Sequence, residues 1–295
     1  MESFFSRRIV KSIIVLIVLG VGVLPFFVWR SIFYKAIPVE TTATDVLNYK
    51  HEVIGSSVQG RTIDAYTFGT GSTHIIFVGG IHGGYEWNSV LLAYQFFDYL
   101  KTNSDIITVN MTITVIPSAN PDGIFKVVGK EGRFTSVNIL PNLPNGTGRF
   151  NADNVDLNRN FDCKWQATST WQSNTVSAGT KAFSEPEAKA IRDFVLRDKP
   201  AAVIFWHSKS NAVYASECKN GVLPETLNIM SAYSVASDYP AIKSFDSYAV
   251  TGDAEGWLAS INIPAITVEL KTHETVEWDR NLGGIKALFK YFSGR

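Results

Sequence analysis

Short apolar runs that alternate with helix-like stretches limit this chain to one class of fold. The runs are rich in β-branched residues, lie next to Gly or Pro, and cover 74–80, 113–120, 201–207 and 263–270. Helical patterns cover 86–101, a segment after Ser184, and 278–292. This order predicts an α/β domain with a mixed, mostly parallel central sheet flanked by helices. Ligand sites of such sheets lie beyond the carboxyl ends of the strands.

The helix after Ser184 carries its own start signal. Ser184 is the predicted N-cap, Pro186 lies in the first turn, and Glu187 completes a capping box.

Two predicted strands end at histidine. The run 74–80 leads into IHGGYE (81–86), which places His82 and Glu86 four residues apart where a helix begins, and 201–207 ends at His207. Two imidazoles and one carboxylate supply the protein ligands of a catalytic zinc site that leaves the fourth position to water. Other divalent ions also accept this set. A Gly-rich turn and a structural histidine are the alternative interpretations.

Glu269 closes the otherwise apolar strand 263–270, where an unpartnered carboxylate is costly. Next to a metal, such a carboxylate can take a proton from metal-bound water and deliver it to a leaving amine. The alternative is an edge-strand ion pair with Lys271 or Arg280.

The segment NADNVDLNRNFD (151–162) carries a fork-shaped cation between amides. Arg159, flanked by Asn158 and Asn160, is suited to bind a substrate carboxylate. Arg149, ten residues earlier, can stabilise a developing oxyanion. Surface salt bridges would be the ordinary alternative for both arginines.

Taken in chain order, these motifs resemble the zinc metallocarboxypeptidases of the carboxypeptidase A type. GGIHGGYE is similar to the family's first metal motif, VDLNRNFD to its Asn-Arg motif, FWHS to its third-ligand strand, and PAITVEL to the strand of its catalytic glutamate. FSEPE and NPDG also resemble family stretches. The resemblance covers roughly residues 50 to 295. Its motif sequences are most similar to those of members that act on bacterial cell-wall peptides.

The resemblance implies one zinc ion held by His82, Glu86 and His207. It implies that Glu269 activates a zinc-bound water and that Arg149 polarises the scissile carbonyl. The expected activity is hydrolysis of a peptide bond, by removal of a C-terminal residue or by cleavage of a cell-wall stem peptide.

The resemblance also implies how substrate is bound. Asn158 and Arg159 would bind the free carboxylate of a peptide, and Tyr248 would cover the substrate. Glu255 falls in the loop that lines the side-chain pocket, where an acid would favour an amino-bearing group such as a basic residue or diaminopimelate.

The first metal motif departs from the family pattern. Three residues separate His82 from Glu86 where the family has two, so Tyr85 occupies the usual ligand position. Tyrosine is a poor zinc ligand at neutral pH because its hydroxyl must ionise from a pKa of about 10. We expect the Gly83-Gly84 turn to absorb the extra residue and leave Glu86 as the ligand.

The N-terminal segment differs from the remainder. Arg7, Arg8 and Lys11 precede an uncharged, mostly apolar run at 12–29, which approaches the length of a membrane span. We expect a cytoplasmic tail (1–11), a transmembrane anchor (12–29), a linker (30–48) and an extracytoplasmic zinc carboxypeptidase-like catalytic domain (49–295). The alternative is a cleaved signal peptide, which would make the protein secreted.

The charge composition argues against nucleic acid as a partner, and the two cysteines bear on the redox compartment. The 27 basic and 27 acidic residues balance, and no basic cluster of the kind found in nucleic-acid binders is present. Cys163 and Cys218 can close a disulfide in an oxidising compartment, or remain buried thiols.

Two other functions remain open from the sequence. One is a zinc amidohydrolase of the same fold that acts on N-acyl amino acids. The other is a non-catalytic, membrane-anchored peptide-binding module.

Overall fold

The computed structural model describes residues 48–294. The predicted tail and anchor, and the predicted linker except for Asn48, lie outside the described residues. Within 48–294, none of the helices has both the length and the apolar character needed to cross a membrane.

The strands of the described region fall into one large sheet and two small hairpins. They are β1 (Tyr49–Ser56), β2 (Thr62–Gly69), β3 (Thr73–Val78), β4 (Met111–Ile116), β5 (Thr168–Trp171), β6 (Asn174–Ser177), β7 (Ala202–Ser208), β8 (Ala212–Ala215), β9 (Glu217–Cys218), β10 (Gly221–Val222), β11 (Ala241–Ile242) and β12 (Ala265–Leu270).

The α-helices lie mostly between strands. They are α1 (Trp87–Thr102), α2 (Pro121–Val128), α3 (Pro186–Asp198), α4 (Pro224–Ser237), α5 (Ala254–Ser260) and α6 (Trp278–Ser293). Short 3-10 turns cover Gly83–Glu86, Ser104–Ile106, Ser136–Asn138 and Leu157–Arg159.

The large sheet is mixed, with the strand order β1-β2-β4-β3-β7-β12-β8-β11. Its centre is parallel, because β3 pairs in parallel with β4 and β7, and β7 pairs in parallel with β12. Strands β1, β2 and β8 add antiparallel pairings, and β11 pairs in parallel with β8. The prediction of a mixed sheet flanked by helices is confirmed.

Both faces of the sheet are covered, which explains why its central strands are continuous apolar runs. On one face, α1, α4 and α6 pack against side chains such as Trp206. On the other face, α3 and α5 pack against side chains such as Phe205. Because side chains alternate along a strand, His207 of β7 shares the face of Phe205. Thr267 and Glu269 are likewise two residues apart in β12, so both face the side on which α5 lies.

The predicted capping box at α3 is wrong. Glu185 is the N-cap, its side chain makes no capping hydrogen bond, and Pro186 is the first helical residue. The Ser184 hydroxyl instead donates to Glu185 Oε1 at 2.7 Å and accepts from Asn160 Nδ2 at 2.9 Å. Glu187 turns into the protein and accepts from a backbone N–H of the β1–β2 loop at 3.1 Å. Tertiary hydrogen bonds therefore replace the local cap.

Candidate metal centre and active-site cleft

A tight turn after β3 brings His82 and Glu86 together. Gly83 has φ +46°, and a Cβ there would lie 2.5 Å from a backbone oxygen of the neighbouring loop. A Cβ at Gly84 would lie 2.3 Å from a valine side chain of α2. Only glycine, which has no Cβ, can occupy these two positions without displacing neighbouring atoms. The 3-10 turn thus accommodates the extra residue, and Glu86 rather than Tyr85 reaches His82, with 2.7 Å between His82 Nδ1 and Glu86 Oε1.

His207 completes a buried group of three possible metal ligands with His82 and Glu86. Its Nδ1 lies 3.1 Å from His82 Nδ1 and 3.0 Å from Glu86 Oε2. Ligands at the corners of a tetrahedron with bonds of about 2.0–2.1 Å lie about 3.3 Å apart. The observed separations, 2.7–3.1 Å, are close to that distance. The donor set and its spacing therefore fit one zinc ion.

The charge state of Glu86 suits it to bind a metal cation. Burial would raise the pKa of its carboxyl group, but the neighbouring imidazoles of His82 and His207 outweigh burial and hold that pKa well below the usual range. Glu86 is therefore ionised and presents carboxylate oxygens to the centre.

Asp156 lies behind His82 and also holds Arg149. Its Oδ1 is 3.5 Å from His82 Nε2, and its Oδ2 accepts from Arg149 Nη2 at 2.8 Å and from Nε at 3.1 Å. Burial opposes ionisation of Asp156, but the Arg149 charge and the contact with His82 prevail and lower its pKa. Arg149 Nη1 lies 3.8 Å from Glu86 Oε1, so the guanidinium reaches the edge of the metal centre.

Glu269 is placed beside the centre by strand register. It is paired directly with His207 across β7 and β12, and its Oε2 accepts from the Ser210 backbone N–H at 3.1 Å. Burial, and secondly the negative charge of Glu86, raise the pKa of Glu269 to about 7. Within residues 48–294, Glu269 forms no ion pair with Lys271 or Arg280, so the edge-strand alternative is not realised.

Asn158 and Arg159 lie in the 3-10 turn Leu157–Arg159 and face the same cleft. Arg159 donates from Nη2 to Thr170 O at 3.2 Å and from Nη1 to Asn158 O. Asn158 Oδ1 accepts from the Ala254 backbone N–H at 2.8 Å. The Asn158 oxygen is thereby committed to the start of α5, which leaves its Nδ2 group as the donor for a ligand.

A cleft of about 650 Å³ joins these groups. Its lining includes each predicted metal, catalytic and substrate-binding residue: His82, Glu86, Arg149, Asn158, Arg159, His207, Tyr248, Glu255 and Glu269. Tyr248 packs against Phe245 with 4.8 Å between ring centroids. Burial raises the pKa of the Tyr248 hydroxyl, so the phenol is protonated at neutral pH and can donate a hydrogen bond.

Glu255 lines the cleft as predicted, but it is engaged by the protein. Its Oε1 accepts from His207 Nε2 at 3.1 Å and from Thr267 Oγ1 at 3.0 Å. The side chain is only 4% exposed.

Three further residues at the site were missed from the sequence. Asp156 lies inside the VDLNRNFD motif, but its contact with His82 is long-range. Thr267 precedes Glu269 by two positions in the same strand, and this period of two was the available signal. His273 follows β12, lines the cleft, and bonds through Nδ1 to Ser208 Oγ at 2.9 Å; no pattern in the sequence indicated it.

The structure contains a disulfide between Cys163 and Cys218. It links the loop after the Asn158-Arg159 turn to β9. The same loop bonds to Gly252, whose N–H donates to Cys163 O at 2.7 Å. The disulfide therefore braces the wall of the cleft that carries Arg159.

Comparison with known proteins identifies relatives that match part of this chain. The chain is 28% identical over 238 residues to gamma-D-glutamyl-L-diamino acid endopeptidase 1 of Lysinibacillus sphaericus. The aligned segment covers 74% of this chain and 59% of that protein. The chain is 25% identical over 178 residues to murein peptide amidase A of Escherichia coli K12. Here the aligned segment covers 57% of this chain and 65% of that protein. The chain thus spans about three fifths of the length of these relatives.

The fold agrees with a solved carboxypeptidase. The carboxypeptidase A of Helicoverpa armigera superposes with a TM-score of 0.59 at 22% identity, over 84% of this chain and 68% of that one. The model of the family described as zinc carboxypeptidase matches residues 47–278. Members of this family use one zinc ion, and His82, Glu86 and His207 can hold it. The chain belongs to the zinc carboxypeptidase family.

Proposed function

We propose that the domain is a zinc-dependent hydrolase that cleaves an amide bond in a cell-wall type of stem peptide bearing a free carboxylate. The observation that carries the proposal is the convergence of His82, Glu86 and His207 with Glu269 in register beside them. The substrate class is supported by two relatives, named for a gamma-D-glutamyl-diamino acid bond and for murein peptide.

The proposed metal site uses His82 Nδ1, Glu86 and His207 Nδ1. When bound there, zinc would lower the pKa of a water molecule and polarise a carbonyl group. The chain itself contributes the orientation of the two rings and a buried, ionised carboxylate.

Glu269 is the proposed general base. It lies next to His207 across the sheet, and burial raises its pKa to about 7, which makes it able both to accept and to return a proton near neutral pH. The Ser210 N–H that binds Oε2 keeps one oxygen in place and leaves Oε1 for proton transfer. The accepted proton would then pass to the leaving amine.

Arg149 and Arg159 are proposed to act on different parts of the substrate. Arg149 lies 3.8 Å from Glu86 and is fixed by Asp156, so its charge can stabilise an oxyanion that develops at the centre. Arg159 and Asn158 supply donors to the free carboxylate of the peptide. Tyr248, whose phenol is protonated, can donate a hydrogen bond to the bound peptide.

We further propose, from the sequence alone, that segment 12–29 anchors the domain outside the cytoplasmic membrane. An external hydrolase of this kind would meet cell-wall peptides directly.

The test uses the full chain, purified with detergent and loaded with zinc, against three substrate sets. These are stem peptides with a gamma-D-glutamyl-diamino acid bond, dipeptides with varied C-terminal residues, and N-acyl amino acids. Cleavage of the stem peptides that is lost on chelation and in Glu269→Gln supports the proposal. Preferred hydrolysis of N-acyl amino acids supports the amidohydrolase alternative, and peptide binding without zinc or turnover supports the binding module; either contradicts the proposal.

A further inference from the structure

We propose that Glu255 is a positioning residue for the metal ligand His207, and not the residue that selects the substrate side chain. The inference rests on the proposed metal site. It departs from the role that resemblance to the family implies for this position, because the carboxylate is held by the protein.

The backbone around Glu255 is fixed from two sides. Asp253, the N-cap of α5, accepts from the Gly256 N–H at 2.7 Å, and the Ala254 N–H donates to Asn158 Oδ1 at 2.8 Å. The first turn of α5 is therefore tied to the same motif that carries Arg159. This arrangement sets the direction in which the Glu255 side chain leaves the helix.

That direction leads to the face of the sheet that carries His207. Glu255 Oε1 accepts from His207 Nε2 at 3.1 Å and from Thr267 Oγ1 at 3.0 Å. A carboxylate oxygen accepts and does not donate, so the Nε2 of His207 carries the hydrogen. When a metal binds, Nδ1 is therefore the nitrogen that gives up its hydrogen, and its lone pair then faces His82 and Glu86, which is the tautomer that a metal ligand requires.

The two histidines are not held equally. His82 Nε2 lies 3.5 Å from Asp156 Oδ1, beyond a good hydrogen bond, whereas the His207–Glu255 distance is 3.1 Å. Asp156 is also shared with Arg149, whereas the second side-chain partner of Glu255 within residues 48–294 is a neutral hydroxyl. Orientation of the metal ligands therefore depends more on Glu255 than on Asp156.

Burial argues in the same direction. A carboxylate that is 4% exposed must be partnered, and the partners here are His207 and Thr267. If Glu255 instead bound the ammonium group of a substrate through Oε1, His207 would lose its hydrogen-bond acceptor.

The experiment measures the zinc dissociation constant of the full chain by competition with a chromogenic chelator. The variants are Glu255→Gln, Glu255→Ala and Thr267→Val. Glu217→Gln is the matched control, because Glu217 lines the same cleft but is exposed and bonds to Ser244 at 3.1 Å. The cobalt(II) spectrum of each variant reports the ligand geometry independently of turnover.

We expect zinc binding to weaken by about 10- to 100-fold in Glu255→Ala, which is typical for loss of the group behind a metal-bound histidine. Glu255→Gln, which keeps an acceptor but loses the charge, should fall between Ala and wild type, and Glu217→Gln should match wild type. The preference for basic over neutral C-terminal residues, measured at saturating zinc, should be unchanged in Glu255→Gln.

Zinc affinity equal to that of the Glu217→Gln control would overturn the inference, as would loss of the basic preference with an unchanged cobalt spectrum. If Glu255→Ala fails to fold, Thr267→Val decides: weaker zinc binding supports the inference and unchanged binding overturns it. A wild-type chain that binds zinc but cleaves no peptide contradicts the proposed function alone, since the affinity measurement does not use turnover.

Discussion

The turn between His82 and Glu86 allows a sharp test of how this chain forms its metal centre. Gly83 has φ +46°, and a Cβ there would meet the Gly148 carbonyl oxygen at 2.5 Å. Gly132 also has a positive φ, +71°, but nothing lies within 4 Å of its Cβ position. The pair Gly83→Ala and Gly132→Ala therefore separates backbone strain from steric conflict.

The expected magnitudes follow from these two observations. A left-handed conformation costs an alanine about 1–2 kcal/mol, which applies to both variants. Overpacking against backbone adds about 1–3 kcal/mol in Gly83→Ala only. The total loss for Gly83→Ala is then about 2–5 kcal/mol. For a domain of this size, each kcal/mol lowers Tm by about 2–4 °C.

Thermal unfolding with and without zinc, together with the chelator competition assay, measures both effects. Gly132→Ala should lose some Tm and keep wild-type zinc affinity. Gly83→Ala should lose more Tm and bind zinc more weakly, because the turn can no longer bring Glu86 to His82. If Gly83→Ala matches Gly132→Ala in both stability and zinc affinity, the account of this turn is refuted.

Other predictions concern the chemistry of the cleft. Glu269→Gln should lower kcat by about 10²- to 10⁴-fold, the usual contribution of a general base, while zinc content by mass spectrometry stays at the wild-type level; a loss of zinc would instead make Glu269 a ligand. Arg159→Lys should raise KM for peptides with a free carboxylate and leave C-terminally amidated peptides unaffected, because lysine lacks the bidentate fork; equal effects on both would argue against carboxylate binding. Zinc binding to the metal-free protein should release protons at neutral pH. Although burial disfavours the charged form, Glu86 and Glu255 raise the pKa of His207 above its usual value, so the ring is protonated before the metal displaces the proton. Zinc affinity should therefore fall as pH decreases, and calorimetry in buffers of different ionisation enthalpy that shows no proton release would contradict this.

The residues at strand ends could be predicted because their signal is local. His207 and Glu269 each close a run of apolar, β-branched residues, and a carboxylate or imidazole at the end of such a run is costly unless it is partnered or functional. Their direct pairing across β7 and β12 could not be predicted, since strand order depends on packing of the whole chain. The period of two along β12 could have placed Thr267 on the face of Glu269, but Thr267 was missed from the sequence.

Roles that depend on distant partners are the ones that local spacing does not predict. Ser184 has the right spacing for a capping box, yet Asn160 and Glu185 take its hydroxyl. The family resemblance identifies Glu255 as a cleft residue, but its contact with His207 joins α5 to β7 across 48 residues. Such contacts follow from the tertiary structure and leave no trace in local spacing.

The most direct test of the central claim is the metal content of the purified full chain after equilibrium dialysis against zinc, compared with His207→Ala. We expect one zinc per wild-type chain and a near-complete loss in His207→Ala, with the variant still folded by circular dichroism. A wild-type chain that retains no zinc, or a His207→Ala chain that retains it fully, would contradict the account.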